Sequence, residues 1–364
     1  MKIRDITNAI AAFAPLQYQE SYDNAGLLFG NPDWEATGVL LTLDATEAVI
    51  DEAIARKCNL VVAHHPIVFG GLKKINGSNY VERVAIKAIK NDIAVYAAHT
   101  NLDNVRYGVC EMMARKLALQ RCSILSPKKE LLRKLYTFVP QADAEKVRTA
   151  LFAAGAGHIG AYSECSYSVE GTGTFKGGEG TNPYVGKVGE RHDEAETKVE
   201  VIFPVYLEQY VIRALLDNHP YEEVAYDVVK LENVYAEVGS GLVGYLKEPM
   251  DEDTFLHWVK QQFDTGCVRY TPLRGKPVKK VALCGGAGSF LLKKAISAGA
   301  DAYISADFKY HEFFDAENQI VIADVGHFES EQFTVELFYH ILTEKFPNFA
   351  PLKSTIRTNP VNYL

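Results

Sequence analysis

The stretch GVLLTLDATEAVIDEAIARKCNLVVAHHP (38–66) decides the fold. It carries two short apolar runs, GVLLTLD (38–44) and NLVVAHHP (59–66), on either side of a helical segment, Ala45–Lys57. Unbroken Val- and Leu-rich runs of this length are strands buried on both faces. Thr46 and Glu47 mark the start of the intervening helix. A strand, a crossover helix and a second buried strand make a parallel βαβ unit. The rhythm continues on both sides. Ile3, Ile6, Ile10 and Phe13 are spaced as one face of an opening amphipathic helix. Val81–Lys90 reads as a helix, and DIAVYAAHTNLD (92–103) as a third strand running into a loop. Residues 1–127 therefore form an α/β half with a parallel sheet.

Residues 128–232 change rhythm. KLYTFVP (134–140), AYSECSYSVE (161–170), TKVEVIFP (197–204) and EVAYDVVKL (223–231) read as strands. AEKVRTALFAAGA (144–156) and LEQYVIRALLDNH (207–219) read as helices. The order β-α-β-β-α-β is that of an α+β ferredoxin-like domain. Its central connection, 171–196, is long and Gly-rich, which predicts a mobile or ligand-binding segment.

Residues 233–364 return to the first rhythm. A shift of 242 positions lays 39–65 on VALCGGAGSFLLKKAISAGADAYISAD (281–307) without a gap. IAVYAAHT (93–100) resembles QIVIADVG (319–326), and NAGLLFG (24–30) resembles GSGLVGY (239–245), each at its own offset. The pattern predicts two related α/β halves, 1–127 and 233–364, forming one metal-binding domain around an inserted one.

Composition bounds the function. The chain has 364 residues, 48% of them apolar and 23% charged, as in soluble globular proteins. Its 38 Lys and Arg against 46 Asp and Glu give a net charge of -8, which disfavours a broad nucleic-acid interface. No apolar run is long enough for a membrane span, and the start lacks a signal-peptide core. The expected location is the cytoplasm. The six cysteines (58, 110, 122, 165, 267, 284) form no CxxC pair and read as reduced core residues.

In parallel sheets, ligands bind beyond the carboxyl ends of the strands. Those ends carry His64-His65-Pro66, His99 to Asp103, Asp307 to His311, and His327 to Glu331. Tandem histidines share a site only where the strand stops, and Pro66 stops it. His327 and Glu331 are spaced to lie on one side of a helix. The same spacing in His99 and Asp103 is a weaker signal, because Asn101 and Asp103 favour a loop. His64, His65, Asp103, His327 and Glu331 offer three imidazoles and two carboxylates. That set suits Zn, Fe, Mn or Co, and is too large for one tetrahedral ion. It fits two divalent ions bridged by a carboxylate, which would acidify water and clamp a displacement. Glu331, Asp307 and His311 are the candidates for catalytic roles, although Asp307 and His311 read equally well as helix caps or surface polar groups. Asp44 and Asp324 are weaker candidates. His158, His192, His219, His257 and His340 read as structural. VALCGGAGSF (281–290) could offer backbone N–H groups to an anion, but reads better as a tight strand-to-helix turn. No G-x-S-x-G or HExxH is present, and 180–187 fails as a phosphate-binding loop.

At YDNAGLLFG (22–30), LDAT (43–46), VVAHHPIVF (61–69), AAHTNLDN (97–104), ISADFKYHEFFDA (304–316) and VGHFESE (325–331), the chain resembles the NGG-interacting-factor-like family. Its bacterial members are called GTP cyclohydrolase 1 type 2 homologues. HPYEEVAYD (219–227) resembles the inserted PII/CutA-like domain of longer members. The resemblance implies a dinuclear centre on His64, His65, Asp103, His327 and Glu331, with Glu331 as the bridge. It also implies a toroidal homohexamer whose metal sites face an internal cavity. The chain has Ala306-Asp307 where the family often has Gly-Asp. The sequence thus predicts a metal-dependent hydrolase acting on a small molecule, either a nucleotide or a phosphoester. The alternative is a non-catalytic metal-binding protein that senses a ligand. A DNA-linked role fits the acidic balance poorly.

Overall fold

The computed structural model describes residues 1–364. The chain divides into two compact units, Met1–Pro127 with Ala236–Leu364, and Lys128–Tyr235. The first part of the larger unit runs α1 (Ile3–Phe13), β1 (Gly26–Phe29), β2 (Val39–Asp44), α2 (Glu47–Ala55), β3 (Leu60–His65), α3 (Tyr80–Lys90), β4 (Ala94–Ala97), the single turn α4 (Thr100–Asp103), α5 (Val109–Lys116) and β5 (Gln120–Lys129). The smaller unit contains β6 (Leu132–Pro140), α6 (Ala144–Ala153), β7 (Ser166–Lys176), β8 (Arg191–Pro204), α7 (Glu208–Asn218) and β9 (Tyr226–Leu231). The chain then returns through β10 (Val234–Met250), α8 (Glu252–Gln262), β11 (Arg269–Tyr270), β12 (Val278–Ala287), α9 (Leu292–Ser297), β13 (Ala302–Ala306), β14 (Val321–Asp324), α10 (His327–Glu331), α11 (Thr334–Lys345) and β15 (Leu352–Lys353).

Local chemistry sets these elements. The Thr46 hydroxyl accepts from the Val49 amide and caps α2, and the Asn79 side chain accepts from the Glu82 amide and caps α3. The larger unit has two sheets, ordered β1-β4-β3-β2-β15 and β11-β14-β13-β12-β10-β5. Their centres are parallel: β2, β3 and β4 in one, β12, β13 and β14 in the other. Every residue of β4, β13 and β14 is buried, which is why they read as unbroken apolar runs. Leu40, Val61 and Val95 pack with Val49 and Ile50 of α2. Leu283, Ile304 and Val321 pack with Phe255 and Val259 of α8.

The margins differ from the sequence reading. β1 pairs antiparallel with β4, β10 with β12 and β11 with β14, so neither sheet is wholly parallel. β1 and β11 are edge strands and too short to leave an apolar run, and β10 is broken by glycines and charged residues. The likeness of NAGLLFG to GSGLVGY also fails as a correspondence. The first lies in β1 at the edge of its sheet beside β4, whereas the second lies in β10, inside its sheet between β12 and β5. Short Gly-and-Leu segments suit either position.

In the smaller unit, β7-β8-β6-β9 form an antiparallel sheet. Leu135, Val199, Val201 and Phe203 pack on Val147 and Leu151 of α6 and on Val211 and Leu215 of α7. The expected connection 171–196 is much shorter. β7 runs on to Lys176 and β8 begins at Arg191, pairing Gly171 with Glu196 and Lys176 with Arg191. Glycines and charged residues mask a strand in sequence, but a ladder open on one face tolerates both.

No helix is long and apolar enough to cross a membrane. Ile304, fully buried in the middle of its sheet, tests the packing. Ile304→Ala should cost about 2–5 kcal/mol in a denaturant titration. Tyr162→Ala, at a position 76% exposed, should change stability by less than about 0.5 kcal/mol.

Candidate metal centre

Parallel strands deliver their carboxyl ends to one edge, and the polar side chains gather there. β3 ends on His64 and His65. α4, which follows β4, presents Asp103, and α10, which follows β14, presents His327 and Glu331. Three sets of ligand atoms each lie within 4.8 Å of one another. They are His64 with Asp103 and Glu331, His65 with His327 and Glu331, and His64 with His65 and His99. Glu331 belongs to two of the sets and is only 3% exposed.

Each imidazole is aimed by an acceptor on its Nδ1. His64 Nδ1 donates to the Ala98 carbonyl at 2.8 Å. His65 Nδ1 meets Asp44 Oδ1 at 2.7 Å, His99 Nδ1 meets Asp23 Oδ1 at 2.8 Å, and His327 Nδ1 meets Asp307 Oδ2 at 2.6 Å. This backing fixes the tautomer and turns Nε2 toward a metal. His65 Nε2 and His327 Nε2 lie 3.3 Å apart, and both approach Glu331 Oε2, at 2.9 and 3.1 Å.

The other half of the cluster tests whether a cation fits. His64 Nδ1 carries its proton to a carbonyl, so Nε2 presents a bare lone pair. That atom lies 3.6 Å from Asp103 Oδ1 and 3.8 Å from Glu331 Oε1. His64 Nε2 and Asp103 Oδ1 are both buried without a hydrogen-bond partner. Orphaned buried acceptors facing one another are costly, and a divalent ion between them satisfies both. Gly286 adds room. Its φ is +59°, and a Cβ there would come within 3.1 Å of His327 Nε2. The residues therefore fit a metal, and the imidazole–carboxylate mix matches Zn, Fe, Mn or Co.

The electrostatics follow from this crowding. Burial opposes ionisation of Glu331, but the His327 charge and the imidazole hydrogen bonds hold its carboxyl well below the usual range. Burial, and then the Glu331 charge, hold Asp103 well above it. Burial depresses His64 against the pull of Glu331. Burial also works against charge on His65, but its bonds to Asp44 and Glu331 lift it to about 10. His327 is lifted to about 11 against burial, chiefly by the Glu331 charge and the Asp307 bond.

The candidate residues divide clearly. His64, His65, Asp103, His327 and Glu331 come together, whereas His311 is exposed and stacks beside Tyr310 and Phe314. Asp307 touches the cluster only through His327 Nδ1. It adopts a left-handed φ of +57°, a strained conformation for a non-glycine residue. Asp324 bonds instead to Arg269 and the Phe308 amide. His99, the weaker signal in the sequence, joins the cluster, and the Thr100–Asp103 segment expected as a loop is a helical turn. Asp23 was missed altogether, although it lies in the quoted YDNAGLLFG stretch. In the Gly-rich run the Gly286 amide is already committed, donating to Ser330 Oγ at 2.9 Å.

The family described as "Duf34/NIF3 (NGG1p interacting factor 3)" matches residues 1–360. The chain belongs to the DUF34/NIF3 family. A Bacillus subtilis relative named GTP cyclohydrolase 1 type 2 homolog is 41% identical over 327 residues, covering 89% of this chain and 88% of its own. A Halalkalibacterium halodurans relative of the same name is 38% identical over the full length of both. A Bacillus cereus protein related to NIF3, known by crystal structure, superposes with a TM-score of 0.87 at 38% identity, covering 100% of this chain and 99% of that one.

Two outcomes follow. Asp44→Asn and Asp307→Asn should each weaken divalent-ion affinity roughly 10–100-fold by calorimetry, through loss of imidazole aim. In the metal-free protein the raised His65 and His327 contribute stability that is fully present below their ordinary pKa. That contribution should be lost as pH rises through about 10 to 11. Metal uptake must displace those protons, so affinity should rise with pH, with proton release visible as a buffer-dependent binding enthalpy.

Proposed function

We propose that this protein holds two divalent ions and is a metal-dependent hydrolase acting on a nucleotide or phosphoester. One observation carries the reading. Glu331 is shared by two ligand sets, and in one of them His64 Nε2 and Asp103 Oδ1 are buried without a hydrogen-bond partner, a geometry that a cation relieves. His64, Asp103 and Glu331 would hold one ion. His65, His327 and Glu331 would hold the other, with His99 at the edge of the first. A bound pair of such ions supplies Lewis acidity and acidified water.

The chain's own residues do the rest. Asp44, Asp23 and Asp307 keep the imidazoles in register, so the site needs little reorganisation. A cavity of about 630 Å³ adjoins the cluster and is lined by His65, His99, His327, Arg269, Phe69 and Tyr363. The Arg269 guanidinium can meet a phosphate there, and the aromatic rings suit a flat base. The names of the Bacillus and Halalkalibacterium relatives point toward a nucleotide.

The scaffold belongs to the same proposal. The shared order of the parallel trios β2-β3-β4 and β12-β13-β14 supports two related halves forming one metal-binding domain. The strand order β7-β8-β6-β9 supports a ferredoxin-like insertion at about 128–232. The toroidal homohexamer rests on the family resemblance, and the cytoplasmic location on the composition of the sequence. The alternative, a non-catalytic metal-binding sensor, is favoured by a cavity in the smaller unit that shares no residue with the metal cluster.

The experiment is an activity screen of metal-loaded protein on GTP and a phosphodiester. Wild type should turn over at least one of them. Glu331→Gln should fall by roughly 100-fold or more, beyond the effect of losing an outer partner. Wild-type rates in that variant, or tight nucleotide binding with no turnover by either protein, would count against the hydrolase reading.

A further inference from the structure

The smaller unit contains a cavity of about 640 Å³ in which no residue of the metal cluster takes part. Its floor is the sheet face that carries no helix. Gly171 lies opposite Glu196, Val169 opposite Lys198, and Phe138 opposite Lys198 from the other side. Residues directly opposite share a face. The walls are aromatic. The Phe175 ring centroid lies 6.1 Å from that of Tyr221, and the Tyr184 centroid lies 6.3 Å from it. Both pairs are tilted, at 58° and 56°, so the rings enclose a space without stacking flat.

One acidic group is built into this enclosure. Glu196 is 8% exposed, and its Oε1 accepts from the Tyr221 hydroxyl at 2.7 Å. Its other oxygen lies over Gly173, where a Cβ would displace it. Of the two lysines lining the cavity, Lys198 gives its Nζ to Glu200 at 2.8 Å, as Lys134 does, and Lys176 makes no ion pair with Glu196. Glu222 spends Oε1 on the Asn182 amide at 2.8 Å. A buried carboxylate without a countercharge is expensive, and an aromatic enclosure is the other half of a cation site. Anionic ligands are disfavoured because four glutamates, Glu170, Glu196, Glu222 and Glu223, line the cavity against two lysines, Lys176 and Lys198, and a neutral apolar ligand leaves the Glu196 charge without a counterion.

We propose that this cavity binds a small alkylated ammonium compound, its cationic head between Phe175, Tyr184 and Tyr221 and against Glu196. The assignment holds whichever reading of the metal centre is correct, since the two sites share no residues.

The test uses the full-length protein and two isosteric probes, choline and its neutral carbon analogue 3,3-dimethylbutan-1-ol, followed by saturation-transfer NMR and calorimetry. Choline should bind at least about tenfold more tightly than the neutral probe. Glu196→Gln should lose at least about tenfold in choline affinity. Gly171→Val supplies a variant that leaves the carboxylate alone. A Cβ at Gly171 meets nothing within 4 Å, so the added side chain fills the cavity without displacing the backbone. It should abolish choline binding while metal content and thermal midpoint stay at wild-type values. Equal affinity for the two probes, absence of choline binding, or wild-type choline affinity in either variant would overturn the assignment.

Discussion

The burial of one carboxylate organises this molecule. Glu331 is almost wholly removed from water and faces His64, His65 and His327 at once. A carboxylate in that position must be compensated by positive charge. Without metal, protons on His65 and His327 provide it, which is why both rings are held so far above their ordinary pKa. On the His64 side burial disfavours an imidazolium, and Nε2 is left facing Asp103 and Glu331 at 3.6 and 3.8 Å with no hydrogen bond made. The cluster is built for charge that the polypeptide does not itself carry.

The fold makes this arrangement rigid. The ligands arise where buried strands stop, so their backbones are anchored in two packed sheets. A second rank of carboxylates, Asp23, Asp44 and Asp307, then fixes the rings. Those carboxylates are themselves held: the Thr358 hydroxyl donates to Asp44, the Thr100 amide and hydroxyl donate to Asp23, and the left-handed turn at Asp307 directs its side chain to His327. Residues more than 250 positions apart in sequence thus meet at hydrogen-bond distance.

Legibility in the sequence tracks how local each signal is. The βαβ stretch 38–66 was readable because burial on both faces leaves unbroken apolar runs, and because Thr46 is a genuine helix cap. The tandem histidines were readable because Pro66 stops the strand. The antiparallel strands β10 and β11 were not readable, since β11 is a two-residue exposed edge and β10 is interrupted by glycines and charged residues. The hairpin β7–β8 hid behind glycines that serve the floor of a cavity, a tertiary reason no local rule records. His99 gives only a weak signal and Asp23 none, for a similar reason. Their roles exist only once α4 forms and the segment before β1 folds against it.

The most direct measurement of the central claim is anomalous diffraction from crystals of protein purified without chelators. Two peaks should appear, one about 2.0–2.2 Å from His64 Nε2 and from Asp103 and Glu331 oxygens, the other at similar distances from His65, His327 and Glu331. A density map with no anomalous signal at these residues after metal loading, or with a single ion that leaves His64 Nε2 and Asp103 Oδ1 unpaired, would contradict the account.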